Sequence, residues 1–203
     1  MTPILVQKVK NGLQTKIIGR PLHFFHELTS TNDIAKELAK KGAKDGTVIV
    51  AGTQTRGRGR LSREWISPKG GLWFSIILRP KANPREAPKL TLMTAVAVAK
   101  TMNKLFDLEV EIKWPNDVLV KGKKVCGILT ETSTKGDSLN FAVVGVGVNV
   151  NFSLHDFPAN LRGSSTTLKE ELKREIDREA LLRSLLEETE HYYNKFTQGK
   201  FNT

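Results

Sequence analysis

The residues best suited to chemistry lie in one short segment, Gly57-Arg58-Gly59-Arg60-Leu61-Ser62-Arg63-Glu64-Trp65. Its glycines allow backbone N–H groups to approach a ligand closely, and its arginines can bind phosphate or carboxylate through planar pairs of donors. The tryptophan that ends the segment could cover a flat ring. Together these residue types favour an anionic ligand such as a nucleotide or an acyl-nucleotide.

Segments rich in glycine and arginine can also be solvated loops or electrostatic contacts for nucleic acid, so the flanking sequence matters. Val48-Ile49-Val50-Ala51 precedes the segment, and the apolar run Leu72–Leu78 follows it. Both runs have the composition of buried strands. A basic loop held between two core strands is typical of a binding site.

The composition indicates one folded domain, and we expect residues 1–203 to form it. The chain has 203 residues, of which 39% are hydrophobic, enough for one substantial core. No apolar run approaches the roughly 20 residues of a membrane-spanning helix, and no signal peptide is recognisable. Cys126 is the only cysteine, so no intrachain disulfide can form; no Cys/His spacing resembles a zinc site. We therefore expect a cytoplasmic protein without membrane contact.

The net charge of +11, with a pI of about 9.8, predicts attraction to an anionic partner. That partner could be nucleic acid, a nucleotide or an acidic protein. Charge alone does not distinguish them, because many lysines lie beside glutamates in runs typical of solvated helix faces, such as residues 36–44 and 169–174.

Hydrophobic periodicity predicts the elements that would position these residues. Ser30-Thr31-Asn32-Asp33 is predicted to cap a helix that Gly42 ends, with one hydroxyl serving as the cap. Further helices are predicted over residues 87–106 and 178–196. Strands are predicted over residues 47–52, 72–78, 109–114, 118–121, 125–131 and 141–150. The last four indicate an antiparallel meander, so we expect an α+β fold with a mixed, mostly antiparallel sheet packed against helices.

Five blocks of this sequence, in order, resemble the catalytic domain of biotin protein ligases. They are Ser30-Thr31-Asn32, Gln54 with the segment from Gly57 to Trp65, Lys113-Trp114-Pro115-Asn116-Asp117, Lys124-Val125-Cys126-Gly127-Ile128-Leu129, and Gly145-Val146-Gly147-Val148-Asn149. One block alone would be weak, but five in the same order are specific. The resemblance covers most of the chain and implies the class II synthetase-like fold of biotin and lipoate ligases.

The resemblance also implies a reaction and its participants. ATP, together with Mg²⁺, would activate biotin to biotinyl-5′-AMP, and biotin would then pass to a lysine of a biotin carboxyl carrier protein. The implied catalytic residues are Lys124, Arg60 and Asp117. The implied biotin-binding residues are Ser30, Thr31, Asn32, Gln54, Gly57, Arg58, Gly59, Arg60, Lys124 and Gly127. The implied nucleotide-binding residues are Arg60, Arg63, Trp65, Asn116, Lys124 and Asn149.

The roles that the resemblance implies for these residues follow from the charges that biotin and ATP bring together. Lys124 would bridge the biotin carboxylate and the α-phosphate, and strand alternation predicts that its amine shares a face with Cys126, Ile128 and Thr130. Arg60 and Arg63 would hold phosphate oxygens under a closing loop. Asp117 would orient or deprotonate the acceptor lysine. No metal-binding residues are expected, because Mg²⁺ would be held partly by phosphates and water.

Two parts found in some or most family members have no counterpart in this sequence. The segment before Ser30 is too short for the winged-helix DNA-binding domain with which some members begin, so we expect neither a repressor role nor specific DNA binding. Members usually end with a small β-barrel, whereas this chain stops at Thr203. The barrel could be truncated, absent or supplied in trans, and homodimer formation stays open.

Three alternative functions stay open on the sequence. A lipoate ligase or octanoyl transferase shares the fold family, and Cys126 could form an acyl thioester; we expect it to be a packing residue, because no activating histidine lies nearby in sequence. A basic nucleic-acid-binding module would need a recognition element, and none is recognisable. The third alternative is an inactive scaffold or a subunit of a split enzyme.

Overall fold

A computed structural model describes residues 4–201. The chain forms, in order, α1 (Val6–Gly12), β1 (Leu22–Leu28), α2 (Thr31–Lys40), β2 (Val48–Gln54), β3 (Leu72–Leu78), α3 (Ala87–Phe106), β4 (Val110–Lys113), β5 (Asp117–Val120), β6 (Lys123–Lys135), β7 (Ser138–Val148), α4 (Ala159–Arg162), α5 (Leu168–Leu172) and α6 (Arg178–Thr197). Short 3₁₀ turns lie at Arg60–Ser62, Pro84–Glu86 and Leu154–Asp156.

The strands form one seven-stranded sheet in the order β1-β2-β3-β7-β6-β5-β4. Strands β1 and β2 are parallel, and every other neighbouring pair is antiparallel. The four strands from β4 to β7 are consecutive in the chain and form the predicted meander. The predicted α+β class with a mostly antiparallel sheet is therefore confirmed.

The two faces of the sheet have different coverings. On one face, α3 and α6 pack against each other over a core that includes Phe74, Ile76 and Val146. On the other face, α2 covers β2, β3 and β7 through Ala35 and Ala39. Beyond the N-terminus of α2, a third apolar cluster of Trp73, Phe152 and Phe157 packs on this second face, and the functional residues collect between it and α2.

Local sequence explains where the long helices begin and end. Helix α3 has a proline in its first turn and ends at Asp107, which adopts a left-handed conformation with φ of 53°. Helix α6 begins where the Asp177 carboxylate accepts a hydrogen bond from the Ala180 backbone N–H at 3.0 Å. Gly42, with φ of 88°, follows the end of α2 as predicted.

Helix α1, strand β1 and the short helices α4 and α5 were not among the predicted elements. Strand β1 contains two histidines and a glutamate, and most of its side chains are partly or fully exposed. Such a pattern lacks the apolar run or alternation that identifies a strand, and its register is fixed only by parallel pairing with β2. Over residues 4–201, no helix is both long and apolar enough to span a bilayer.

Candidate active site

The floor of the site is a flat patch of backbone on β6 and β7. Gly127 pairs directly with Gly147 across the two strands. A Cβ at Gly127 would lie 2.6 Å from a ring carbon of Trp65, and one at Gly147 would collide with the indole Nε1. The indole therefore lies directly on the sheet, which only glycine at these positions permits.

Lys124 reaches this floor because of a bulge in β6. Val118 pairs with Cys126 and Leu119 pairs with Lys124, so Val125 has no partner on β5. The Lys124 Nζ lies 2.7 Å from Asp117 Oδ1 and 4.9 Å from the centroid of the Trp65 ring. The ammonium thus faces the cavity, as predicted.

The prediction that Cys126, Ile128 and Thr130 share a strand face with Lys124 was wrong. Cys126 and Ile128 lie in the core beneath α3, and Thr130 Oγ1 lies 2.7 Å from Thr91 Oγ1 on that helix. The bulge inserts one residue and inverts the alternation, so Lys124 shares the cavity face with Gly127 instead. No pattern of side-chain types in the sequence marks that inserted residue.

Cys126 is fully buried, and burial raises the pKa of its thiol well above the ordinary value. A thiol that remains protonated is a poor nucleophile. Its surroundings are those of a packing residue, in agreement with the interpretation of the sequence.

The start of α2 supplies polar groups to the cavity wall. The Gln54 Oε1 accepts from the Thr31 backbone N–H at 2.8 Å and from the Thr31 hydroxyl at 3.1 Å. The Gln54 Nε2 donates to Ser67 Oγ at 2.8 Å, and Ser67 in turn donates to the Trp65 carbonyl. Neither the Ser30 hydroxyl nor the Thr31 hydroxyl caps the helix. Ser30 makes no side-chain capping bond, and the Thr31 hydroxyl is directed to Gln54. The predicted capping role was therefore wrong, since Gln54 satisfies the first free N–H instead.

A buried polar chain continues from there to β6. Ser75 Oγ lies 2.7 Å from Thr31 Oγ1 and 2.6 Å from Asn32 Oδ1. The Asn32 Nδ2 donates to Glu131 Oε2 at 2.8 Å. Ser75 and Glu131 were not among the predicted site residues, and nothing in their local sequence marks them.

The loop between β2 and β3 is anchored at its beginning. The Arg58 Nη2 lies 2.6 Å from Asp33 Oδ1 and 3.0 Å from Glu131 Oε2, and Lys36 completes the group at 2.8 Å from Glu131 Oε1. These side chains are between about a quarter and two fifths exposed. The Arg58 guanidinium therefore binds protein carboxylates in this state.

The outer part of the loop is held more lightly. Arg60 Nη1 donates to Asn116 Oδ1 at 3.2 Å, which joins the loop to the turn between β4 and β5. Leu61 and Ser62 both adopt positive φ, 55° and 57°, which is unusual for residues other than glycine. Strained, exposed backbone of this kind is common where a loop changes conformation around a ligand.

Besides Asp117 Oδ1, which contacts Lys124 in an ion pair, two buried polar atoms of the site have no hydrogen-bond partner. Asn149 donates through Nδ2 to the carbonyls of Lys124 at 3.2 Å and Thr166 at 3.0 Å, but its Oδ1 is unsatisfied. The Trp65 Nε1 is also unsatisfied. Because a buried donor or acceptor without a partner is costly, these atoms are candidates for ligand contacts.

Nearly all of the predicted site residues line one cavity of about 480 Å³. The exception is Gly57, whose carbonyl accepts from the Trp65 backbone N–H at 2.9 Å and so closes the base of the loop. The residues that line the cavity include Lys124, Arg60 and Arg63. Among residues 4–201, no group of three or more His, Cys, Asp or Glu side chains could hold a metal ion. The arrangement can concentrate anions beside a carboxylate, Asp117.

Comparison with known proteins gives a consistent result. Residues 24–149 match the model of the biotin/lipoate A/B protein ligase family. The bifunctional ligase/repressor BirA of Bacillus subtilis is 41% identical over 180 residues, which cover 88% of this chain and 55% of that protein. A biotin–[acetyl-CoA-carboxylase] ligase of Paracoccus denitrificans is 38% identical over 123 residues, covering 60% of this chain and 51% of that protein. The chain thus spans about half the length of these relatives.

The solved structures include a similar fold with ligands bound. The biotin protein ligase from Aquifex aeolicus, in complex with biotin and ATP, superposes with a TM-score of 0.75. It is 34% identical, and the match covers 88% of this chain and 72% of that chain.

Proposed function

The chain belongs to the biotin/lipoate A/B protein ligase family, and from this premise we propose that it is an ATP-dependent biotin ligase. It would form biotinyl-5′-AMP with release of pyrophosphate, and then transfer biotin to a lysine of a biotin carboxyl carrier protein with release of AMP. The observation that carries the proposal is the position of the Lys124 ammonium in one cavity with Arg60 and Arg63.

Activation requires two anions to meet, the biotin carboxylate and the α-phosphate of ATP. Two like unit charges about 4 Å apart repel by about 4 kcal/mol at an effective dielectric constant of 20. A cation between them converts this repulsion into attraction and stabilises the charge of the transition state. Lys124 is the group for this role, because its Nζ reaches the cavity from the floor.

Recognition of the biotin ureido ring calls for both donors and acceptors, since the ring offers one carbonyl and two N–H groups. Ser30 is 2% exposed and makes no capping bond, so its hydroxyl is the polar group most available to the ring. Thr31 is hydrogen-bonded to Gln54, and Ser75 joins Thr31 to Asn32, so we infer that these side chains hold the wall in shape. Gly59 leaves space for the ligand, Gly127 leaves space for the Trp65 indole on the floor of the site, and Arg58 anchors the loop beside it.

The nucleotide would occupy the loop side of the cavity. Arg60 and Arg63 would bind phosphate oxygens through charge-assisted hydrogen bonds. The unsatisfied Asn149 Oδ1 is suited to accept from the exocyclic amine of adenine. Trp65 would cover a ring of the ligand, and Asn116, which accepts from Arg60, would hold the arginine in place.

Transfer to the carrier requires the acceptor lysine to lose a proton. Asp117 is the carboxylate at the cavity for that step, and its ion pair with Lys124 would be loosened once Lys124 binds the adenylate. ATP would enter as its Mg²⁺ complex, with the phosphates and water supplying most ligands of the ion. We propose that the reaction takes place in the cytoplasm, within a single catalytic domain of residues 1–203.

A lipoate ligase or octanoyl transferase is the other activity within the family. The Paracoccus denitrificans relative and the Aquifex aeolicus structure are named as biotin ligases, which favours biotin, and a buried Cys126 does not favour a thioester intermediate. Thermal unfolding with biotin, lipoate or octanoate, each with and without MgATP, tests the choice. Biotin at 100 times its Kd should stabilise the protein by about 2.7 kcal/mol, and the other acids should not. Stabilisation by lipoate or octanoate alone would contradict the proposal.

A further inference from the structure

Two large apolar side chains are unusually exposed, Leu61 and Trp114. Leu61 is 81% exposed and Trp114 is 77% exposed, whereas the other exposed large apolar side chains among residues 4–201 range from 36% to 49%. An exposed tryptophan loses favourable burial unless something covers it, because an aromatic side chain can bury 150–250 Å². The two residues therefore mark a surface that differs from the rest of the molecule.

Leu61 lines the cavity, and Trp114 lies in the chain between Lys113 and Asn116, which also line it. Leu61 follows Arg60 in the loop, and Trp114 lies two residues before Asn116 in the turn between β4 and β5. The hydrogen bond from Arg60 Nη1 to Asn116 Oδ1 joins the two segments that carry Leu61 and Trp114. Asp117 begins β5 directly behind this turn and lines the cavity.

The charge around the cavity is positive. Arg60, Arg63 and Lys113 line the cavity and are exposed. The carboxylates that line it are those of Glu64 and Asp117, and Asp117 is paired with Lys124. A positive rim around apolar anchors attracts an acidic partner and steers its approach.

We propose that Trp114 and Leu61 form the docking surface for the acceptor, an acidic protein domain that presents its target lysine on an exposed turn. The proposal rests on the proposed function and adds the place of contact. The turn enters between the two anchors, the lysine amine reaches Asp117, and the carrier's carboxylates face Arg63 and Lys113. Tryptophan at the centre of a small interface, with charged groups around it, is the usual arrangement of an energetic hot spot.

Three assays on each variant separate docking from chemistry. Biotin-dependent exchange of pyrophosphate with ATP reports adenylate formation. Hydroxylamine then reports acyl transfer without docking, because its nitrogen attacks the acyl carbon, the acyl–oxygen bond to AMP breaks, and biotinyl hydroxamate and AMP form. Transfer to the carrier domain of an acetyl-CoA carboxylase reports docking and chemistry together.

For Trp114→Ala we expect exchange and hydroxamate formation to stay within twofold of wild type, while kcat/KM for the carrier domain falls at least tenfold through KM. Trp114→Phe should recover most of the loss, because a ring remains. Leu61→Ala should lower kcat/KM for the carrier more than it lowers exchange. The controls are Phe25→Ala and Leu105→Ala, which truncate exposed apolar side chains that do not line the cavity. They should leave the rates in all three assays unchanged.

The docking proposal is overturned if Trp114→Ala transfers biotin to the carrier as wild type does, or if all three assays fall in parallel. It is also overturned if wild type makes adenylate and hydroxamate but does not modify the carrier domain, or if Trp114→Ala weakens only binding to a single-stranded oligonucleotide. Absence of exchange in wild type is a different result, since it removes the proposed function itself.

Discussion

A single ion pair, Lys124 with Asp117, joins the two charged groups that the proposed reaction uses at different steps. Their 2.7 Å separation exists because the bulge at Val125 turns Lys124 towards β5, where Asp117 begins the strand. Asp117 Oδ1 is buried and has no hydrogen bond besides this contact. The pair therefore keeps both groups in the cavity before a ligand arrives.

Replacing Asp117 with asparagine should separate the two half-reactions. The amide keeps the shape of the turn but is not a base, so biotin-dependent pyrophosphate exchange should stay within about threefold of wild type. Transfer to the carrier should fall about 100-fold, which is the lower range for loss of a general base. Single-turnover transfer of biotin from preformed adenylate to the carrier measures this loss. Equal losses in exchange and transfer would show that Asp117 instead positions Lys124.

Cys126 should be dispensable for the chemistry. Its thiol is fully buried, and burial raises its pKa, so it remains protonated across the physiological pH range and contributes no step to the pH dependence of the rate. Cys126→Ala should keep both half-reactions near wild-type rates and lower the free energy of unfolding by about 1 kcal/mol. Abolished activity in a folded Cys126→Ala protein would revive the thioester alternative.

At the scale of elements, the loop between β2 and β3 has a fixed beginning and a movable outer part. Arg58 is held by Asp33 and Glu131, whereas Leu61 and Ser62 have strained backbone and are exposed. Closure would therefore involve residues 59–63 and leave Arg58 in place. Such a lid excludes water from a hydrolysable anhydride.

Limited digestion with trypsin tests this division, since the loop carries Arg60 and Arg63. Biotin with MgATP should slow cleavage there in wild type. Glu131→Gln should speed cleavage in the absence of ligands, because it weakens the anchor of Arg58, while Glu37→Gln on the exposed side of α2 should not. Cleavage that is indifferent to ligands, or to the Glu131 change, would argue against an anchored lid.

Helix α6 stabilises the N-terminal segment through Glu190. Its carboxylate accepts from three consecutive backbone N–H groups, those of Lys16 at 2.6 Å and of Ile17 and Ile18 at 2.7 Å each. Glu190→Ala should lower the free energy of unfolding by about 3 kcal/mol, because it leaves one buried and two partly buried donors unpaired. Urea denaturation measures the change. Glu188→Ala, which removes only a 4.0 Å ion pair with Lys104, should cost less than about 1 kcal/mol.

At the scale of the whole molecule, the sequence predicted the elements with strong periodicity. The bounds of β3 and α3 agree with prediction to the residue, because long apolar patterns and flanking prolines define them. Strand β1 was missed, because its edge position leaves side chains exposed and its parallel partner β2 lies beyond α2.

The site residues that lie within the five sequence blocks could be predicted. The cavity brings together residues from α2, β2, the loop, β5, β6 and β7, and the blocks named all of these elements. The bulge at Val125 was not predictable, since it depends on register with β5. The Glu131–Asn32–Ser75 chain was also missed, because those contacts join residues 99 and 43 positions apart.

The most direct test of the account is biotin-dependent pyrophosphate exchange by Lys124→Ala. Its matched control is Lys123→Ala, which alters the exposed neighbouring lysine at the start of β6. We expect Lys124→Ala to unfold thermally close to wild type and to lose at least 100-fold in exchange rate, the scale of removing one electrostatic contact to a transition state. Lys123→Ala should exchange as wild type does. A folded Lys124→Ala protein that exchanges pyrophosphate at near the wild-type rate would contradict the account.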